Sequence, residues 1–200
     1  PDTRRTPNGE FPPGLTFLDA ERLACSSSAA VSVWSLSNDE LRWLELHDGA
    51  EVFRPVAGGG HLLVHGRRGY AEGFDAEGGS VKRLVDHEDW AFVRRSALGP
   101  RGRYAVTGAS DLNVLLTDLQ PGAVRVLGHL RTVPQSIRFS ESGDQFVVGD
   151  QQGVLRVFDT TGRLLHELRG TGGTTRDAHF LADDREILSA GLDDTIRRYR

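Results

Sequence analysis

The chain is predicted to be all-β, made of about five repeats of four short antiparallel strands. The prediction rests on composition, repetition and spacing. Short runs of β-branched and aromatic residues lie between turn residues, and 24 of the 200 residues are Gly. One strand–turn–strand pattern recurs in "SALGPRGRYAVTGASDLNVLLTD" (96–118), "SIRFSESGDQFVVGDQQGVLRVFD" (136–159) and "DAHFLADDREILSAGLDDTIRRYR" (177–200). The position closing each third strand falls at Trp34, Phe74, Thr117, Phe158 and Tyr199, at spacings of 40, 43, 41 and 41 residues. A repeat of about 40–45 residues with four strands per unit is what a propeller blade requires.

The strands of a unit follow in order. A first strand carries Ile137 and Phe139, or Ala178 and Phe180. A second holds Phe146–Val148, or Ile187–Ser189, and a third alternates through Val154, Arg156 and Phe158. A fourth is seen in "RLLHELRG" (163–170). "SNDELRWLELHD" (37–48) has helix-forming residues, but the repeat register assigns it to a turn and a fourth strand. The units fall at about 11–46, 47–86, 87–128, 129–169 and 170–200, after an irregular segment 1–10.

These residues resemble the WD-repeat β-propeller family. The likeness is carried by Gly128–His129, Phe139–Ser140, Val157–Phe158–Asp159 and the final "SAGLDDTIRRYR". "SVWS" (32–35) keeps the Trp without the Asp, and "EGFDAEGG" (72–79) the Asp without the Trp. The resemblance implies a buried polar chain of His, Ser/Thr, Asp and Trp in each blade. His87, Thr107 and Asp111 fit it in the third unit, His129 in the fourth, and Ser189 and Asp193 in the fifth; Gln152 stands where the fourth unit should have Asp. No unit keeps the whole set, so the blades should rely on apolar packing.

Bulk features exclude several functions. Net charge is −4, so bulk charge does not favour nucleic acid. One Cys permits no internal disulfide, and no apolar run reaches the roughly 20 residues of a membrane helix. The expected location is cytoplasmic. No cofactor or metal is expected: His61 and His65 share a strand face but lack a nearby third ligand. Cys25 reads as a core position, Asp183–Asp184 and Asp193–Asp194 as tight turns, and "RGTGGTTRD" (169–177) as a connection between units. The arginines at 94, 95, 101, 103, 197, 198 and 200 read as solvated charge.

The resemblance implies a non-catalytic scaffold or sensing module that binds a protein or peptide on its loops. Candidate contacts are Arg67, Trp90, Ser110, Arg131, Gln151 and Leu192. The alternative is a propeller hydrolase or lyase with its site at the central channel, where His179 is the main titratable group. Convergence of other polar groups on His179 would favour that alternative. The last unit has no fourth strand after "DDTIRRYR", and the proline-containing "PDTRRTPNGE" is unsuited to supply one. The expectation is an unclosed ring with a three-stranded last blade and open edges that favour self-association.

Overall fold

The computed structural model describes residues 14–26, 30–44, 46, 52–58, 60–75, 79–83, 87–120, 122–170, 172–181 and 183–200. Residues 1–10, expected to be irregular, lie outside this set. Sheet 1 contains β1 (Gly14–Phe17), β2 (Arg22–Ser26), β3 (Val31–Ser35) and β4 (Leu41–Leu44). Sheet 2 contains β5 (Val52–Gly58), β6 (His61–Gly66), β7 (Ala71–Phe74) and β8 (Ser80–Arg83). Sheet 3 contains β9 (Val93–Leu98), β10 (Tyr104–Ala109), β11 (Asn113–Asp118) and β12 (Val124–His129). Sheet 4 contains β13 (Pro134–Phe139), β14 (Gln145–Asp150), β15 (Val154–Asp159) and β16 (Leu164–Arg169). Sheet 5 has three strands, β17 (Thr175–Phe180), β18 (Ile187–Gly191) and β19 (Ile196–Tyr199).

Every sheet is an antiparallel meander with strands hydrogen-bonded in chain order. Sequential pairing keeps each sheet local, which is why a 41-residue period suffices to lay it out. Where helix-forming residues and register compete, the register prevails: Leu41–Leu44 pair with Val31–Trp34 as a strand. The first strands pack side by side along the series β1, β5, β9, β13 and β17.

Apolar side chains fill each space between sheets. Leu18, Ala24 and Val31 meet Leu62, Val64 and Phe74 between sheets 1 and 2. Leu63 and Ala71 meet Leu98 and Ala105 between sheets 2 and 3. Val106, Val114 and Leu116 of sheet 3 pack on Ile137, Phe146 and Phe158 of sheet 4. Phe146 is fully buried, with its ring 5.4 Å from both Phe139 and Phe158. Burying one such ring contributes about 1.5–3 kcal/mol.

This pattern stops at both ends of the series. Val114 and Leu155 are 1% and 0% exposed, whereas Ile196, at the matching place in sheet 5, is 78% exposed. Phe17 of sheet 1 is 62% exposed, against 7% for the matching Leu98. No hydrogen-bonded strand joins sheet 5 to sheet 1, so the ring is not closed among the described residues. β19 pairs with β18, and no described strand pairs with its other edge.

Two devices recur at one end of the sheets. The turn between second and third strands contains a left-handed residue: Arg68 (φ 55°), Leu112 (66°), Gly153 (77°) and Asp194 (57°). The first strands of sheets 2 to 5 each have a register shift near their start. Such a bulge re-aims a side chain, and Arg94 and Arg176 are left exposed by it. Among the described residues no helix is long and apolar enough to cross a membrane.

Candidate functional site

The connections between sheets and the turns between second and third strands form one loop face. Backbone hydrogen bonds tie them together. Gly69 N–H donates to Ala91 O (2.8 Å), Ser110 N–H to Phe92 O (2.9 Å), Leu130 N–H to Leu112 O (2.7 Å) and Leu192 N–H to Thr174 O (3.0 Å).

The connection into sheet 3 is anchored from beneath. His87, Thr107 and Asp111 are 4%, 3% and 5% exposed. The Asp111 carboxylate lies 3.0 and 3.2 Å from His87 Nδ1. A carboxylate only accepts, so Nδ1–H donates to it, and Nε2 hydrogen-bonds the Thr107 hydroxyl at 2.9 Å. Asp111 also accepts the amides of Asn113 (3.0 Å) and Glu88 (3.2 Å). Burial pushes the Asp111 pKa up, but the Asn113 amide, the His87 ring and the Glu88 amide together outweigh it and hold the group below its ordinary value.

Above this anchor the loop displays aromatic surface. Trp90 is 64% exposed and Phe92 is 37% exposed. The Arg67 guanidinium, from the turn of sheet 2, lies 5.3 Å from the Phe92 ring centre. Ser110 Oγ accepts the Phe92 amide at 2.8 Å. Arg67 and Ser110, singled out in the sequence, thus both contact Phe92, which was not, and Trp90 is exposed two residues before it. Arg131, Gln151 and Leu192 are exposed on the same face further along the series.

The comparisons agree with this architecture. A solved β-propeller domain, that of Cps50 (Swd1) from Myceliophteria thermophila, superposes with a TM-score of 0.76 at 18% sequence identity. The match covers 92% of this chain and 65% of that one. The chain folds as a β-propeller. No family model and no curated protein matches it. The five sheets are its blades, and the anchored loop of blade 3 has the buried His, Thr and Asp that the WD-repeat resemblance implies.

The other blades differ from that arrangement. His129, expected in a buried chain in blade 4, is instead exposed at the end of β12, with Nδ1 3.3 Å from Asn113 Oδ1. A bulge beside Gly128 (φ 143°) turns the strand end outward there. Blade 4 uses another pair: Asp150 is fully buried and bonded to Arg156 at 2.9 Å. In blade 5 the Ser189 hydroxyl is buried without a hydrogen-bond partner among the described residues. Asp193 there accepts from the Gly172 amide at 2.9 Å and from Thr195 Oγ1 at 2.8 Å, and pairs with Arg197. The Gly172 amide foremost, then the Thr195 hydroxyl, holds the Asp193 pKa below the ordinary carboxylate range.

The remaining motifs have structural surroundings. His65 is buried, with Nδ1 2.9 Å from Val93 O, which links blades 2 and 3. Cys25 is half-buried on β2, and burial pushes its thiol pKa up, opposite to what a nucleophile needs. Arg198 and Arg200 both pair with Glu186, and Arg103 pairs with Asp118. Asp184 accepts the amides of Glu141 and Ser142 at 2.9 Å each and so staples blade 5 to blade 4. On the first strands, His179 Nε2 lies 3.0 Å from Asp177, which Arg138 of blade 4 approaches at 3.3 Å. These three side chains are 58%, 42% and 44% exposed.

Proposed function

We propose that this propeller is a non-catalytic interaction module that binds a protein or peptide on its loop face, with Arg67, Trp90 and Phe92 at the centre of contact. The observation that carries this reading is the exposed Trp90 and Phe92, the latter under the Arg67 guanidinium, on a loop mounted on a buried polar anchor. Trp and Arg are the residue types most enriched where binding energy concentrates. The anchor holds the loop before the partner arrives, so less ordering entropy is lost on binding. Arg131, Gln151 and Leu192 extend the contact surface along the face.

The test is selection of peptides from a random library displayed on phage. Trp90→Ala should weaken the selected peptides about tenfold or more with no change in the unfolding midpoint, since the side chain is mostly in water. Equal binding by wild type and variant would refute the assignment of the contact.

The Arg138–Asp177–His179 cluster supports a second reading, in which the first strands carry a catalytic site. A His oriented by a carboxylate is half of a general acid–base arrangement. This reading predicts hydrolase or lyase turnover of a generic ester or uronide probe that is lost in His179→Ala. Turnover unchanged by that substitution would dismiss it.

A further inference from the structure

On blade 4 the loop face opens into a cleft of about 350 Å³, lined by Arg131 from the connection into the blade and by Gln152, Val154, Arg156, Glu167 and Arg169. We propose that this cleft is an anion site that receives an acidic side chain, carboxylate or phosphorylated, from a peptide bound on the loop face. The proposal rests on the peptide-binding reading above and names the chemistry of the partner.

The charges of the cleft do not balance, and the hydrogen bonds show where the surplus lies. Asp150, beneath it, accepts the Gln152 amide (2.9 Å), the Val154 amide (3.0 Å) and Arg156 Nη1 (2.9 Å), so both its oxygens are committed. Arg156 is held between Asp150 and Glu167, with Nε 3.2 Å from the latter, and its side chain is 14% exposed. Glu167 is shared with Arg169 at 3.6 Å. The Arg131 guanidinium and the side-chain amide of Gln152, which both border the cleft, make no hydrogen bond among the described residues.

Three guanidiniums therefore face two carboxylates, and the unmatched positive charge belongs to Arg131. The chain as a whole has net charge −4, so this surplus is local. A cationic ligand would add to the surplus and a neutral one would leave it. An oxyanion would complete it, gripped by Arg131 from the connection into blade 4 and Arg169 from β16; arginine suits that role because its planar donors match carboxylate and phosphate oxygens. The buried Arg156 pair gives the cleft a fixed floor. The volume lies at the low end of ligand clefts, the right order for one charged side chain with its flanking backbone.

The experiment titrates the 200-residue chain into fluorescently labelled short peptides on one neutral scaffold, with Glu, phosphoserine, Gln or Ser at the centre. The Glu or phosphoserine peptide should bind about tenfold tighter than the Gln and Ser peptides, and added salt should erase part of the difference. A phosphoserine preference over Glu, with competition by free phosphate, identifies phosphate as the ligand chemistry; equal binding identifies any carboxylate-like oxyanion. Arg131→Ala should weaken the acidic peptides about tenfold more than the neutral ones, so that the preference disappears, and should leave the circular dichroism spectrum intact, while Arg131→Lys retains part of the preference. Four equal affinities, or acidic binding indifferent to Arg131→Ala, would overturn the anion site. If Trp90→Ala still weakens all four peptides alike, the loop-face reading survives that failure. If none of the four binds, the anion site falls, and the phage selection decides the loop face separately.

Discussion

Replacing Asp111 by Ala tests the anchor beneath the proposed contact surface. The substitution removes the acceptor for three donors: His87 Nδ1 and the amides of Glu88 and Asn113. The two amides are only part-buried, so water can reach them once the carboxylate is gone. The His87 ring is not so placed: its side chain is 0% exposed. A buried donor left without its charged acceptor costs about 2–3 kcal/mol. For a chain of this length that is roughly 5–10 °C in midpoint temperature. Asp194 supplies the control. It is exposed, but its φ of 57° makes Asp194→Ala costly through the backbone, so Asp194→Asn is the cleaner comparison. That variant should stay within about 0.5 kcal/mol of wild type. The assay is urea denaturation followed by far-ultraviolet circular dichroism. Equal midpoints for Asp111→Ala and Asp194→Asn would refute the reasoning.

Three further outcomes are expected. A Cβ on Gly108 would meet Pro134 Cγ at 2.6 Å and Ile137 Cδ1 at 3.2 Å, so Gly108→Ala should cost about 1–3 kcal/mol in the same denaturation assay; a neutral result would show that blades 3 and 4 are not packed as described. Asp159 is held at a pKa of about 2, chiefly by the Thr161 hydroxyl, and Asp111 and Asp193 are lowered as well. A carboxylate whose pKa is depressed on folding contributes fully above its unfolded value of about 3.9 and loses that contribution as pH falls through the folded value. Stability should thus be level in mildly acidic buffer and fall between about pH 4 and pH 2, less steeply in Asp159→Asn; stability rising on acidification would contradict this. The exposed Phe17 and Ile196 should make the chain associate as concentration rises, and Phe17→Glu with Ile196→Lys should suppress it in sedimentation velocity; identical behaviour of the two proteins would count against open blade faces as the cause.

The blades were legible because each is a local meander. The spacing of Trp34, Phe74, Thr117, Phe158 and Tyr199 is a direct imprint of one sheet per repeat, and it decided correctly for a strand at Leu41–Leu44 against the helix-forming residues around it. Trp90 and Arg67 were legible as loop residues because the register places the loops. Phe92 was passed over, since it precedes Val93 and reads as the start of a strand rather than as displayed surface. His129 was assigned to the interior from its Gly-His pair alone, and the bulge at Gly128 that turns it outward has no sequence signature beyond the Gly. The Asp150–Arg156 pair was invisible for another reason. The carboxylate sits two residues before the place where the repeat pattern calls for it, and only the turn through Gly153 brings the arginine back over it. Asp184 looked like a local turn residue, and its bonds to Glu141 and Ser142 depend on how two blades pack.

Hydrogen exchange of the chain, free and saturated with the tightest phage-selected peptide, distinguishes the loop face from the rest of the surface. Binding on the loop face predicts new protection in the Arg67–Tyr70, His87–Phe92 and Ser110–Asn113 segments. It predicts none in the turns at the opposite ends of the strands, around Arg101–Arg103 and Glu141–Asp144. Protection confined to those opposite turns, or to Asp177–His179 on the first strand of blade 5, would contradict it.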